Sequence, residues 1–113
     1  MSVSARDQRI DTTPIGPLLA RIVQACQPEQ VWLFGSRARG QARPDSDWDL
    51  LVVMPDQTDE SQLHPLVAWR LCKGAEVPAE AVLCWAFEFQ EDRRTPNTLA
   101  YEVDRDGVLL YER

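Results

Sequence analysis

The strongest constraint on this chain is a pair of short apolar β-forming runs, Val31–Phe34 and Trp48–Val53. The first stops at Gly35 and the second closes at Met54-Pro55. Between them lies a polar stretch holding Gly40 and Pro44, with Ser36 to Gly40 suited to a short helical turn and the rest to a loop. Runs of this length and composition read as buried strands, and the pair is expected to form the middle of one sheet.

Helical patterning surrounds them. Ile15, Leu18, Leu19, Ile22, Val23 and Cys26 fall on one face of a helix from Thr13-Pro14 to about Gln27, ended near Pro28. Asp59 to Lys73 carries Leu63, Leu66, Val67 and Leu71 near helical spacing, with Pro65 either starting the helix near His64 or kinking it. Gly74 is a fitting stop. Glu80 to Phe87 reads as a third strand. Thr95-Pro96 signals a helix through about Arg105, and Val108 to Tyr111 a final strand. The order α-β-(turn)-β-α-β-α-β describes an α/β chain whose helices pack on one sheet. It is expected to be a single domain over 1–113, with an ordered core from about residue 12 behind a polar lead-in.

Composition narrows the function. Twelve basic and 18 acidic residues give a formal charge of −6. A field of that sign repels phosphate polymers and anionic membranes, so general nucleic-acid binding is not expected. No apolar run approaches the roughly 20 residues of a membrane span. Met1 to Arg9 is polar and charged, without the apolar core of a signal peptide, so the expected compartment is the cytosol. Cys26, Cys72 and Cys84 are odd in number and lack C-x-x-C spacing. They read as buried reduced thiols, and with one histidine, His64, a zinc site is not expected.

The chemistry-bearing stretch is Phe34-Gly35-Ser36-Arg37-Ala38-Arg39-Gly40, followed by Asp47-Trp48-Asp49-Leu50. On a strand Asp47 and Asp49 project to one face, about 6.5–7 Å apart at Cα, while Trp48 and Leu50 point to the other. Two ionised carboxylates so placed repel each other unless a cation sits between them. Few, hard oxygen ligands suit Mg²⁺, which completes its shell with water and substrate phosphate. Gly35 lets backbone approach a ligand closely, and Ser36 offers a hydroxyl and an N–H at the start of a turn, a natural anion site. Arg37, Arg39 and Arg43 add local positive charge. Arg39 suits either a phosphate contact or an ion pair with one of the acids; Arg37 and Arg43 read as solvated.

Gly35-Ser36, ten residues, then Asp47-x-Asp49 resembles the signature of the DNA polymerase β-like nucleotidyltransferase superfamily. Gly-Ser-x-Ala-Arg-Gly with Ser46-Asp47-x-Asp49-Leu50 is most similar to its minimal nucleotidyltransferase (MNT) branch, as is the closing Gly107-Val108-Leu109-Leu110-Tyr111-Glu112. The resemblance covers nearly the whole chain. It implies a nucleotidyltransferase fold, a small mixed sheet with packed helices. It further implies that Gly35 and Ser36 hold the triphosphate of a nucleotide, and that Asp47 and Asp49 bind two Mg²⁺. A third acid on a neighbouring strand would bind the metal beside the attacking hydroxyl and help deprotonate it. That position corresponds to Glu80, where many members carry Asp; Glu76 is the alternative.

The reaction so implied moves an NMP, AMP from ATP, to an acceptor hydroxyl. A chain of 113 residues has no room for the helical acceptor domain of larger members, so a homo-oligomer or a second chain is expected to supply that site. The branch points to a HEPN-domain partner, a small toxin adenylylated on a tyrosine, with this chain as antitoxin. Two other readings stay open: a weak or inactive module that regulates a partner by docking, and an antibiotic nucleotidyltransferase. Glu80 also fits an exposed strand-edge charge, and Asp47 and Asp49 a loop cap. Of Trp32, Trp48, Trp69 and Trp85, most are expected in the core, leaving one or two to face a partner.

Overall fold

A computed structural model describes residues 10–113, so residues 1–9 of the polar lead-in expected over 1–11 lie outside the described residues. Four strands, β1 (Gln30–Phe34), β2 (Trp48–Met54), β3 (Ala79–Trp85) and β4 (Val108–Glu112), form one sheet in the order β3-β2-β1-β4. β1 runs antiparallel to both β2 and β4, and β2 runs parallel to β3. The two apolar runs are the central strands, as their composition requires: β2 is buried at six of its seven positions, all but Asp49.

Strand alternation divides the sheet into two apolar faces. Val31, Leu33, Trp48, Leu50, Val52 and Met54 pack on helix α1 (Gly16–Cys26), through Leu18 and Ile22, and on α2 (Pro65–Cys72), through Leu71. On the opposite face Leu51 and Val53 meet Phe89 of α3 (Ala86–Asp92) and Ala100 and Val103 of α4 (Leu99–Asp106). Helices therefore cover both sides.

Three element boundaries differ from the pattern reading. The first helix opens as a 3₁₀ turn over Thr13–Ile15, so Thr13 lies inside the turn rather than capping it, and the Asp11 carboxylate accepts the Thr13 N–H at 3.0 Å. Around Pro65 the first of the two expected alternatives holds, and the helix starts there rather than kinking. A 3₁₀ turn at Glu60–Leu63 precedes α2, whose N-cap is His64, its ring Nδ1 accepting the Leu66 N–H at 3.0 Å. The largest correction is at Ala86 and Phe87. They continue the apolar run but begin α3, because Glu88 reaches back to accept the Trp85 backbone N–H at 3.2 Å and closes a first turn. α4 likewise starts at Leu99, with Thr98 as cap (Tyr101 N–H to Thr98 Oγ1, 3.2 Å), while Thr95-Pro96 belongs to the preceding turn.

The three thiols are free and half-buried. Trp48 is in the core, Trp32 and Trp85 are half-buried, and Trp69 is 57% exposed.

Candidate functional site

Strand directions decide where the chemistry gathers. β1 ends, and β2 and β3 begin, at the same end of the sheet, so Gly35, Asp47, Asp49 and Glu80 meet there although they are spread over 46 positions of sequence. The register is specific: Asp49 stands beside Phe34 of β1 on one side and Glu80 of β3 on the other. Trp48 is buried in the α1/α2 face, which leaves Asp47 and Asp49 flanking it toward the other face.

Gly35 is the pivot. Its φ is +77°, the left-handed region that glycine enters without cost. A β-carbon there would fall under 3 Å from Asp49 Oδ2, so the Asp49 carboxylate rests directly against the Gly35 backbone. The chain then coils once: the Gly35 carbonyl accepts from Ala38 N–H (3.1 Å) and Arg39 N–H (3.2 Å), and the Ser36 carbonyl from Gln41 N–H (2.9 Å). Buried Ala38 anchors the turn. The expected helical turn thus follows the first strand and carries Ser36 at its start.

Arg37 is not solvated. Its guanidinium donates to the Ser46 carbonyl (2.9 Å from Nη2, 3.2 Å from Nε) and to the Pro44 carbonyl (3.2 Å), and lies over the Trp48 ring, 4.5 Å from the centroid. It ties the turn to the loop that delivers Asp47. Arg43 is exposed as expected; its backbone N–H donates to Ser46 Oγ at 2.8 Å. Arg39 is exposed, sits 4.0 Å from Glu102 and lowers the pKa of Asp49, so it serves an acidic neighbourhood rather than one partner.

Glu102, on α4, has no signal in the sequence motif. Nothing in local spacing shows that the α4 face would return to the mouth of the β1–β2 turn.

Electrostatics single out Asp49. Its pKa is pushed above the ordinary carboxylate value, first by burial, then by the negative charges of Glu80, Asp47 and Glu102, against the opposing pull of Arg39. A half-buried carboxylate among three others is a site that a cation relieves. Among the described residues no three His, Cys, Asp or Glu side chains close into a ready cage. That is compatible with Mg²⁺, which takes one or two carboxylates and keeps water and phosphate oxygens for the remainder. The donor set of carboxylate oxygens fits such an ion and does not fit a soft metal, and burial raises the pKa of each of the three thiols. Glu76 lies in the loop before β3 and is not in register with Asp49; Glu80 is.

The turn, the paired aspartates and the mixed sheet define a nucleotidyltransferase-type architecture. The sequence profile of the family described as polymerase beta, nucleotidyltransferase, matches residues 19–113, and the chain belongs to that family. No curated protein matches it. Among solved structures it is similar to a candidate nucleotidyltransferase from Sulfolobus solfataricus (TM-score 0.60, 22% identity, 88% of this chain and 78% of that one). It is also similar to a toxin-antitoxin structure with AMP-PNP (TM-score 0.58, 20% identity, 86% and 73%). At these identities the likeness establishes the fold.

Proposed function

We propose that this chain transfers AMP from ATP to an acceptor hydroxyl, releasing pyrophosphate, and that the acceptor is a tyrosine of a HEPN-type toxin partner. The observation that carries the reading is the register pairing of Asp49 with Glu80, with the Asp49 carboxylate against the Gly35 bend. The toxin-antitoxin neighbour crystallised with AMP-PNP supports the choice of partner class and nucleotide.

The roles follow from position. Ser36, through its hydroxyl and N–H, and the Gly35 backbone bind the triphosphate. Arg39 adds charge at the mouth. Asp47, Asp49 and Glu80 would hold Mg²⁺, two ions in the full site, which neutralises phosphate charge as the leaving group departs. Glu80, exposed at the sheet edge, is the group open to an acceptor. It receives the hydroxyl proton while the acceptor oxygen bonds to the α-phosphorus and the bond to pyrophosphate breaks.

Purified chain with Mg²⁺ and ATP labelled in the α-phosphate should label a HEPN toxin, and Asp47→Ala with Asp49→Ala should abolish this. Absence of label on any HEPN protein or co-purifying chain refutes the reading. The open arrangement of the carboxylates favours one second reading, a module that binds nucleotide and restrains its partner by docking. Under that reading the double variant still protects against the toxin.

A further inference from the structure

We propose that an apolar hollow on the Glu80 side of the sheet is a subsite for the acceptor, taking a Leu- or Phe-sized side chain that stands two residues from the hydroxyl-bearing residue of an extended peptide. The assignment deepens the transfer reading and rests on it. The hollow, about 130 Å³, is lined by Leu51, Val82, Cys84, Phe89, Leu99 and Ala100. Leu51, Phe89 and Ala100 are buried members of the second core face and form its floor. Val82, on the edge strand β3, is 43% exposed, so the hollow opens at that edge.

Strand register joins the hollow to the carboxylates. β2 and β3 run parallel, with Asp49 beside Glu80, Leu51 beside Val82 and Val53 beside Cys84. Side chains two apart on a strand share a face and lie about 6.5–7 Å from each other at Cα. Leu51 and Val82 are therefore the next side chains on the face that carries Asp49 and Glu80. One surface runs from the carboxylates straight into the apolar hollow.

Sheet order decides which substrate meets it. Crossing from β1 through β2 to β3, the chain presents the Gly35-Ser36 turn, then Asp49, then Glu80. Attacking and leaving oxygens lie in line across the phosphorus. With the triphosphate gripped at the β1 turn, pyrophosphate departs on that side and the acceptor oxygen arrives from β3. Glu80 and the hollow are thus both on the acceptor's side of the reacting phosphorus.

The lining chooses the occupant. An apolar cavity of about 150 Å³ holds a benzene ring, so this one suits a phenyl or isobutyl group. The Cys84 thiol is pushed up to about 12, first by burial and then by Glu88 and Asp92, and stays uncharged at neutral pH. Glu88 and Asp92 of α3 border the hollow and, with Glu80 one step away, repel an acidic group. An extended peptide repeats its side chains on one face at the same about 6.5–7 Å step that separates Glu80 from Val82. A hydroxyl held at Glu80 therefore brings the side chain two residues away over Val82 and into the hollow.

The test uses the full ¹⁵N-labelled chain and two short capped peptides with a single tyrosine, one carrying Leu and the other Asp at both positions two residues from it. The Leu peptide should shift the amides of Val82, Cys84, Leu99 and Ala100 and bind about tenfold or more tighter than the Asp peptide. Ala100→Leu, which fills the hollow, should weaken the Leu peptide about tenfold with Mg²⁺–ATP affinity within about twofold of wild type. Val82→Thr, isosteric and at an exposed position, guards against misfolding and should weaken it several-fold. Equal affinity for the two peptides, shifts confined to other residues, or wild-type affinity in both variants overturns the proposal. ATP labelled in the α-phosphate then separates the two readings. Equal label on both peptides overturns the subsite alone, whereas label on neither peptide nor on a HEPN toxin overturns the acceptor role together with transfer.

Discussion

Replacing Gly35 by alanine separates backbone strain from disruption of the site, because the fold supplies its own control. Gly35 and Gly40 have nearly the same left-handed φ, +77° and +72°. Alanine at either position pays about 1–2 kcal/mol for that conformation. Around Gly40 a β-carbon meets nothing within 4 Å, whereas at Gly35 it falls under 3 Å from Asp49 Oδ2. Gly35→Ala must therefore also push the Asp49 carboxylate aside by up to ~1 Å, and a displacement of that size costs on the order of 100-fold in rate. Urea unfolding should show both variants destabilised by similar amounts, within about 1 kcal/mol of each other. Mg²⁺-dependent nucleotide binding and AMP transfer should fall about 100-fold in Gly35→Ala and stay within a few-fold of wild type in Gly40→Ala. Equal loss of activity in the two variants, or full activity in Gly35→Ala, would refute the idea that Gly35 exists to seat Asp49.

Further outcomes follow from the same geometry. Asp49 has a raised pKa in the fold, so the folded chain holds its proton more tightly than the unfolded chain, and stability falls as pH rises through the folded value. In Mg²⁺-free buffer Asp49→Asn should be more stable than wild type near pH 7; the advantage should vanish below the unfolded value of 3.8, and transfer should be lost throughout. Thermal melts across pH check this, and a less stable Asp49→Asn at pH 7 contradicts the assigned cause. Arg37→Ala should cost about 1.5–3 kcal/mol through the lost carbonyl contacts and weaken nucleotide binding. Arg37→Lys should rescue little, because an ammonium does not span both carbonyls while stacking on Trp48. Full rescue by lysine would show that charge alone matters. The Cys84 thiol, pushed up to about 12 by burial, with Glu88 and Asp92 adding to it, should be alkylated by iodoacetamide at pH 8 more slowly than Cys26 or Cys72. Peptide mass spectrometry reads the order, and fast Cys84 labelling in the native chain would count against that burial.

Local pattern was enough for much of this molecule. The apolar stripe of α1, the two central strands and the alternation that separates Asp47 and Asp49 from Trp48 all depend on neighbours a few residues apart, and periodicity reports such neighbours directly. The same holds for the Gly35 bend, since a strand ending in Gly-Ser announces a turn. Where local pattern failed, a distant or side-chain partner outweighed it. Ala86 and Phe87 look like strand, but the Glu88 cap and the buried Phe89 turn them into α3. Arg37 looks solvated, but it is held by carbonyls seven and nine residues away and by Trp48.

Residue order alone fixed the donor types and their spacing: a glycine-serine bend and two aspartates separated by a single residue. Strand direction and register decided the rest. Only the parallel pairing of β2 with β3 sets Glu80, and not Glu76, beside Asp49, and only the return of α4 brings Glu102 into the same field. The physical reason is range. Periodicity encodes which side chains share a face of one element, while the juxtaposition of charges from different elements is settled when their backbones pair and their apolar faces close on one another.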